Sequence, residues 1–348
     1  MAVAGRSRPV ATAALALAAT LVALGMLEVG LRVAGVDPAS AHAIGGFTVY
    51  DPVLGWRLAP DRDATFRTPS FATRVVHGPT GLRGRPHPEA RTPGRRRLLV
   101  LGDSFVWCWG VPMEQCFTER LEVRLGAEVV NAGVPAYSTA QELLFYERDL
   151  RRYRPDAVVL VVVPNDPFEN AEGYGPRFRL ANGALVAPTT PVRRRKSVAG
   201  EWLQAHSRLW AQTTYLAAVL RDTVRMWRAA GVAHAADGPG YTPDTALPSE
   251  KSWALTEALL DRLAADVRAD GARFAVVLEE MPEPMIARLR AWAAARAVPC
   301  LPLGPAFTAA RERGVRVRLR GDPHVGPDGQ AVVADALARF LDETALLR

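Results

Sequence analysis

A serine leaving the end of an apolar stretch and a histidine with an aspartate two residues before it are residue types suited to nucleophilic acyl transfer. This sequence holds both. In "LLVLGDSFVWCWG" (98–110), Leu98 to Leu101 read as a strand, and Ser104 leaves its C-terminal end in Gly-Asp-Ser and should open a helix. Backbone N–H groups and a helix dipole at that position stabilise negative charge near the serine oxygen. A serine hydroxyl is a weak nucleophile without a base, so it needs a histidine oriented by an acid. Of the 6 histidines, only His324 in "GDPHVGPDGQ" has a carboxylate close by in a turn, Asp322, with Pro323 limiting the backbone between them. His42, His77, His87, His206 and His234 fall in loops or on an inserted helix, where exposed or incidental roles are expected. The developing oxyanion needs donors as well. Asn131-Ala132-Gly133 follows a second strand and Pro164-Asn165-Asp166 a third, so the Gly133 N–H and the Asn165 amide should join the Ser104 N–H at one sheet edge.

The elements that must position these residues begin at residue 97. Strands are expected at Leu98 to Leu101, Val129-Val130, 156–163, 274–278 and 298–303, and helices at 114–126, 138–153 with Ser138 as N-cap, 253–269, 283–296 and 327–342. Strands alternating with helices imply an α/β fold with a parallel sheet covered on both faces. "DAVVLVVV" (156–163) is a continuous apolar run after Asp156, as a strand buried on both sides should be. Residues 168–250 interrupt the pattern: "RFRLANGALVAP" (177–188) reads as a hairpin turning at Asn182-Gly183, and 201–227 as an aromatic-rich amphipathic helix. This insertion is either a lid or packing for the N-terminal segment or a membrane-proximal surface. Trp202, Trp210 and Trp227 within it would line an apolar groove or, at helical spacing, belong to a core.

Residues 36–96 are rich in Pro, Gly and Arg and read as an extended accessory segment whose short strands pack on something else. Before them, "PVATAALALAATLVALGML" (9–27) carries no charge and approaches the roughly 20 residues that span a bilayer. Its length and the lateness of the best cleavage site, Ala41-His42-Ala43, favour an uncleaved signal anchor over 1–35 rather than a removed signal peptide. With Arg6 and Arg8 held in the cytoplasm, the rest would face outward; cleavage would instead release a secreted protein. The formal charge of +7 is nearly all arginine spread along the chain, which argues against nucleic acid, and Arg193 to Lys196 reads as a solvated loop. Cys108, Cys116 and Cys300 give neither a disulfide framework nor metal spacing, and a Cys108–Cys116 bridge and free thiols both stay open. No cofactor is expected, and the absence of a Gly-rich loop after the first strand argues against a nucleotide binder.

The four blocks "GDSF", "NAGV", "VPND" and "GDPH" resemble those of the SGNH hydrolases, the GDSL esterase/lipase superfamily, and the anchor followed by "LGWR" resembles a bacterial membrane-anchored subgroup. The resemblance covers about 97–345 and implies a three-layer αβα domain with a flavodoxin-like parallel sheet of about five strands. It implies Ser104 as nucleophile, His324 as base, Asp322 as its orienting acid, and Ser104, Gly133 and Asn165 as the oxyanion hole. Val163 stands where the third block usually has Gly, the last block is Asp-x-His rather than Asp-x-x-His, and Cys108 and Ala136 stand where small or Gly residues are expected. The activity implied is hydrolysis of short-chain O-acyl esters, such as O-acetyl groups on cell-surface carbohydrate. Three other readings use the same fold: an O-acyltransferase fed by a membrane acyl-donor partner, a lipase, and a catalytically silent glycan-binding protein.

Overall fold

A computed structural model describes residues 7–36, 45–68, 70–194, 197–214, 216–217, 220 and 247–348. The chain divides into two units. One comprises Phe47–Asp63, Thr68–Arg194 and Gly238–Arg348; the other comprises Met1–Gly46, Ala64–Arg67 and Arg195–Asp237.

The first unit is built on five parallel strands: β5 (Arg97–Gly102), β6 (Glu128–Gly133), β7 (Ala157–Val162), β10 (Arg273–Leu278) and β11 (Cys300–Pro302), in the spatial order β11-β10-β7-β5-β6. In β7, Ala157 to Val162 are all buried, and Leu98 to Leu101 of β5 are equally shut off. Each such Val or Leu contributes about 1.5–3 kcal/mol by leaving water, which makes this sheet the rigid base of the site. Leu101 pairs with Leu160, and Gly102 with Gly133, so the loops after β5, β6 and β7 leave at one edge.

The helices lie between these strands: α2 (Phe117–Leu125), α3 (Thr139–Phe145), α4 (Asp166–Glu172), α6 (Glu250–Ala269), α7 (Glu283–Ala295), α8 (Gly304–Glu312) and α9 (Pro327–Glu343). Ser138 caps α3 in a capping box with Gln141. Beyond Phe145 the expected helix to residue 153 changes pitch, through a π-turn at Tyr146–Leu150 and a 3₁₀ turn at Arg151–Tyr153, sending the Tyr146 hydroxyl to Asp270 and Arg148 to Asp51. Short strands β1 (Thr48–Asp51) and β2 (Gly55–Leu58) form a hairpin, β3 (Asp63–Arg67) and β4 (Ala72–Val76) follow, and β8 (Arg179–Ala181) and β9 (Ala184–Val186) form the expected hairpin. Its turn residues Asn182 and Gly183 have φ of 51° and 79°, as a type I′ turn requires. Apart from Ala64–Arg67, residues 47–96 of the accessory segment belong to this unit: Trp56 and Tyr137 lock β2 to the loop after β6, the indole donating to the Pro135 carbonyl and the phenol to the Trp56 carbonyl.

In the second unit, α1 (Ser7–Val33) contains a span, Val10–Val33, long and apolar enough to cross a membrane or to serve as an export signal. Helix α5 (Val198–His206), capped by Ser197, follows the hairpin within the insertion, and residues 208–214 are helical. The expected helix to 227, with Trp227, as well as His42, His234 and the Ala41-His42-Ala43 site, extends outside the described residues.

Candidate active site

Ser104 follows β5 by two residues, but the residues after it do not form the expected helix. They make irregular turns in which Trp107 N–H donates to Asp103, Cys108 N–H to Phe105 and Trp109 N–H to Ser104, with Cys108 at φ 58°. The reason is a buried guanidinium. Arg83 of the accessory segment reaches under the loop and donates to the carbonyls of Trp107, Cys108 (2.7 Å) and Val111 (2.6 Å), so these oxygens point at a cation instead of along a helix axis. Arg83 also lies over the Trp107 ring, 4.9 Å from its centre. On the far side the Trp107 indole donates to His77 (3.1 Å), whose other ring nitrogen faces the Ala59 carbonyl. Burial, with Arg83 and Arg62 nearby, pulls His77 down to about 4 against its bond to Ala59, so it stays neutral. The nucleophile loop is therefore shaped by fixed backbone contacts, and no macrodipole acts at Ser104.

The structure brings Ser104, His324 and Asp322 together. Ser104 Oγ lies 2.9 Å from His324 Nε2, and His324 Nδ1 lies 2.7 Å from Asp322 Oδ1, which also accepts the His324 backbone N–H at 2.9 Å. With Nδ1 protonated, Nε2 accepts the serine proton. Burial acts to raise Asp322, but hydrogen bonds from His324 and from the Trp109 indole hold it below the ordinary carboxylate range. Trp109 is a residue the sequence reasoning missed. Its ring stacks on His324 at 4.7 Å and 15°, while its Nε1–H donates to Asp322 Oδ2 at 3.2 Å, so one side chain orients both members of the pair. The loop carrying them is braced by Arg318, which pairs with Glu279 (2.6 Å) and Glu280 (2.9 Å) and donates to the Pro323 carbonyl (3.0 Å), and by the Leu319 N–H on the His324 carbonyl.

Gly133 takes a different role from the one expected. Its N–H donates to Asn131 Oδ1 (3.0 Å) inside the fold, so it is committed, and a Cβ there would lie 2.2 Å from the Trp107 nitrogen. The residue is glycine because the nucleophile loop crosses β6 at backbone contact. Three residues on, Ala136 stands exposed at φ 61° between buried Pro135 and Tyr137.

Asn165 stands at the N-cap position of α4 just after β7, half-buried and with no side-chain capping bond, beside the Glu169 carboxyl. This flank is rich in buried acid. Asp103 accepts the Phe105 N–H (2.9 Å) and lies 3.3 Å from Ser104 Oγ. Glu142 is wholly buried with no hydrogen-bond partner at either carboxyl oxygen among the described residues, and Asp166 has none at Oδ1. Burial, then the mutual proximity of these groups, pushes Glu142 and Asp166 well above the usual range; burial raises Asp103 as well. Glu169 is pushed up to about 7 by burial, opposed by its bond to Asn165. Cys108 and Cys116 are buried free thiols and Cys300 is free as well; no group of His, Cys, Asp and Glu suited to a metal occurs among the described residues.

A hydroxyl, an imidazole and a carboxylate in hydrogen-bonded series at the C-terminal edge of a parallel sheet are equipped for nucleophilic acyl transfer. Among solved structures the chain is similar to TesA, with 16% identity and a TM-score of 0.40 over 71% of this chain and 99% of that one. It is also similar to a catalytic mutant of Axe2, an acetylxylan esterase from Geobacillus stearothermophilus (13% identity, TM-score 0.40, 71% and 94% covered). A third is a GDSL-like lipase from Bacteroides thetaiotaomicron (11% identity, TM-score 0.38, 73% and 91% covered). No family model and no curated protein matches the sequence.

Proposed function

We propose that this chain is a serine esterase of the SGNH type that hydrolyses short-chain O-acyl esters. The observation that carries the reading is the series Ser104 Oγ, His324 Nε2 at 2.9 Å, and Asp322 at 2.7 Å from Nδ1. In the proposed reaction Ser104 Oγ attacks the ester carbonyl carbon as its proton passes to His324 Nε2. The C–O bond to the alcohol breaks, and the alcohol leaves with that proton. Water then attacks the acyl-enzyme, its proton passing through His324 back to Ser104. Asp322 and Trp109 keep the imidazole in one tautomer and plane throughout. The oxyanion is received by the Ser104 N–H, the Asn165 amide and, in place of Gly133, the N–H of Ala136, an exposed residue in the left-handed region just beyond β6.

In this reading α1 is an uncleaved anchor and the esterase unit faces outward, where O-acetylated carbohydrate is an accessible substrate. Hydrolysis of p-nitrophenyl acetate, butyrate and octanoate tests it: turnover should be greatest with acetate and fall with chain length. Octanoate as the best substrate would replace the short-acyl reading with a lipase. Turnover that appears only with an acceptor sugar would make it a transferase, and a folded protein inert in both assays would contradict catalysis.

A further inference from the structure

The second unit contains a junction that fixes the insertion at a definite depth. Helix α1 is bare and uncharged from Val10 to Leu27, and the first charge after that run is Glu28. That carboxylate accepts the backbone N–H groups of Arg208 (3.1 Å) and Leu209 (2.8 Å) and the Ser207 hydroxyl (3.0 Å), so it caps the helical residues 208–214. One turn later Arg32 pairs with Glu28 at 2.9 Å and donates to the His206 carbonyl at the end of α5 (3.0 Å). The end of one helix and the start of the next are thus bonded to two residues of α1 about 6 Å apart along its axis, just where its apolar run stops.

Around this junction the insertion shows apolar side chains to the outside. Trp202 and Trp210 leave 60% and 41% of their surface bare, and Leu216 and Leu220 leave 63% and 66%. Trp202 stacks on His206 one turn away at 4.7 Å, so its ring is held in place while staying exposed. Tryptophan at the end of a spanning segment prefers the boundary between headgroups and acyl chains. In sequence, Arg193-Arg194-Arg195-Lys196 comes shortly before α5, and a run of four cations next to an interfacial segment is the pattern that anionic headgroups attract.

We infer that the described residues between 198 and 220 form an interfacial membrane element, with Trp202 and Trp210 embedded at the headgroup and acyl boundary of the outer leaflet and the Glu28–Arg32 junction setting their depth. The inference rests on the reading of α1 as an anchor. It gives the esterase a second contact with the bilayer, at the membrane surface rather than through it.

The test uses the full chain reconstituted in vesicles whose acyl chains are either unmodified or brominated, with flotation measured alongside tryptophan emission. The wild type should float and be quenched by the brominated lipid, and Trp202→Phe/Trp210→Phe should float, keep its turnover of p-nitrophenyl acetate, and lose most of that quenching. Equal quenching of the two proteins, or no quenching of a floating wild type, would overturn the inference; the second outcome would leave the apolar face to a protein partner. A chain that does not float overturns the anchor reading and this inference with it, whereas loss of esterase activity in the wild type would bear only on the proposed reaction.

Discussion

On the His324 side of Ser104 the polar groups are joined in series: Ser104 to His324, His324 to Asp322, Asp322 to Trp109, with Arg318 bracing the loop from below. On the Asn165 side four carboxyls, Asp103, Glu142, Asp166 and Glu169, crowd together with several oxygens unpaired and with burial holding them toward the protonated form. The two flanks suit opposite demands. In the proposed reaction the first stabilises a transient imidazolium, and a carboxylate biased toward its ionised form does that at close range. The second receives negative charge on a substrate oxygen, and acids that burial biases toward the neutral form repel it less. Carboxyl groups on the two flanks are thus shifted in opposite directions, by pairing on one side and by desolvation on the other.

Three variants sharpen this contrast, beginning with the largest effect. Asn165→Ala removes the only amide side chain proposed to face the oxyanion, and kcat should fall about 10²- to 10³-fold with little change in KM; equal loss from KM alone would remove Asn165 from the oxyanion site. Trp109→Phe keeps the ring on His324 but deletes the bond to Asp322 Oδ2, which should cost about tenfold in kcat/KM and raise the pH at which the acidic limb of the profile begins, because Asp322 loses a donor that holds it ionised. An unchanged acidic limb would separate Trp109 from the triad.

The smallest effect concerns Glu169. Its raised value means the native state holds a proton that the unfolded chain gives up near 4.5, so its stability contribution is fully present below that pH and is lost as pH rises through about 7. Tm should therefore decline from pH 6 to pH 8, and Glu169→Gln should flatten that trend, as melting curves across that range will show. A wild-type decline that persists in Glu169→Gln would assign it to another group.

The sheet was legible in the sequence because β5, β7 and β10 contain continuous apolar runs, the composition expected of strands covered on both faces. Ser104, Asp322, His324 and Asn165 were legible as short polar blocks at strand ends. Helices α4 and α8 were not, since Asp166-Pro167 and Gly304-Pro305 resemble turns, although proline in the first helical turn is equally a start signal. Arg83 and Trp109 carried no sequence signal: their partners are carbonyls and a carboxylate at distant positions, and Asp322 lies 213 residues from Trp109. Gly133 misled because a glycine required by close packing looks the same in sequence as one whose N–H serves a ligand. Its place at the end of β6 was read correctly, but the N–H is spent inside the fold, and the exposed left-handed residue is Ala136.

The account stands on Ser104 being the nucleophile, and its most direct test is covalent. Incubation of the purified full chain with a fluorophosphonate, followed by intact mass spectrometry and peptide mapping, should show one adduct, located on Ser104, with p-nitrophenyl acetate turnover lost in step. His324→Ala should label slowly, and Ser104→Ala should neither label nor turn over. Adduct on another residue, or full turnover by Ser104→Ala, would contradict the account.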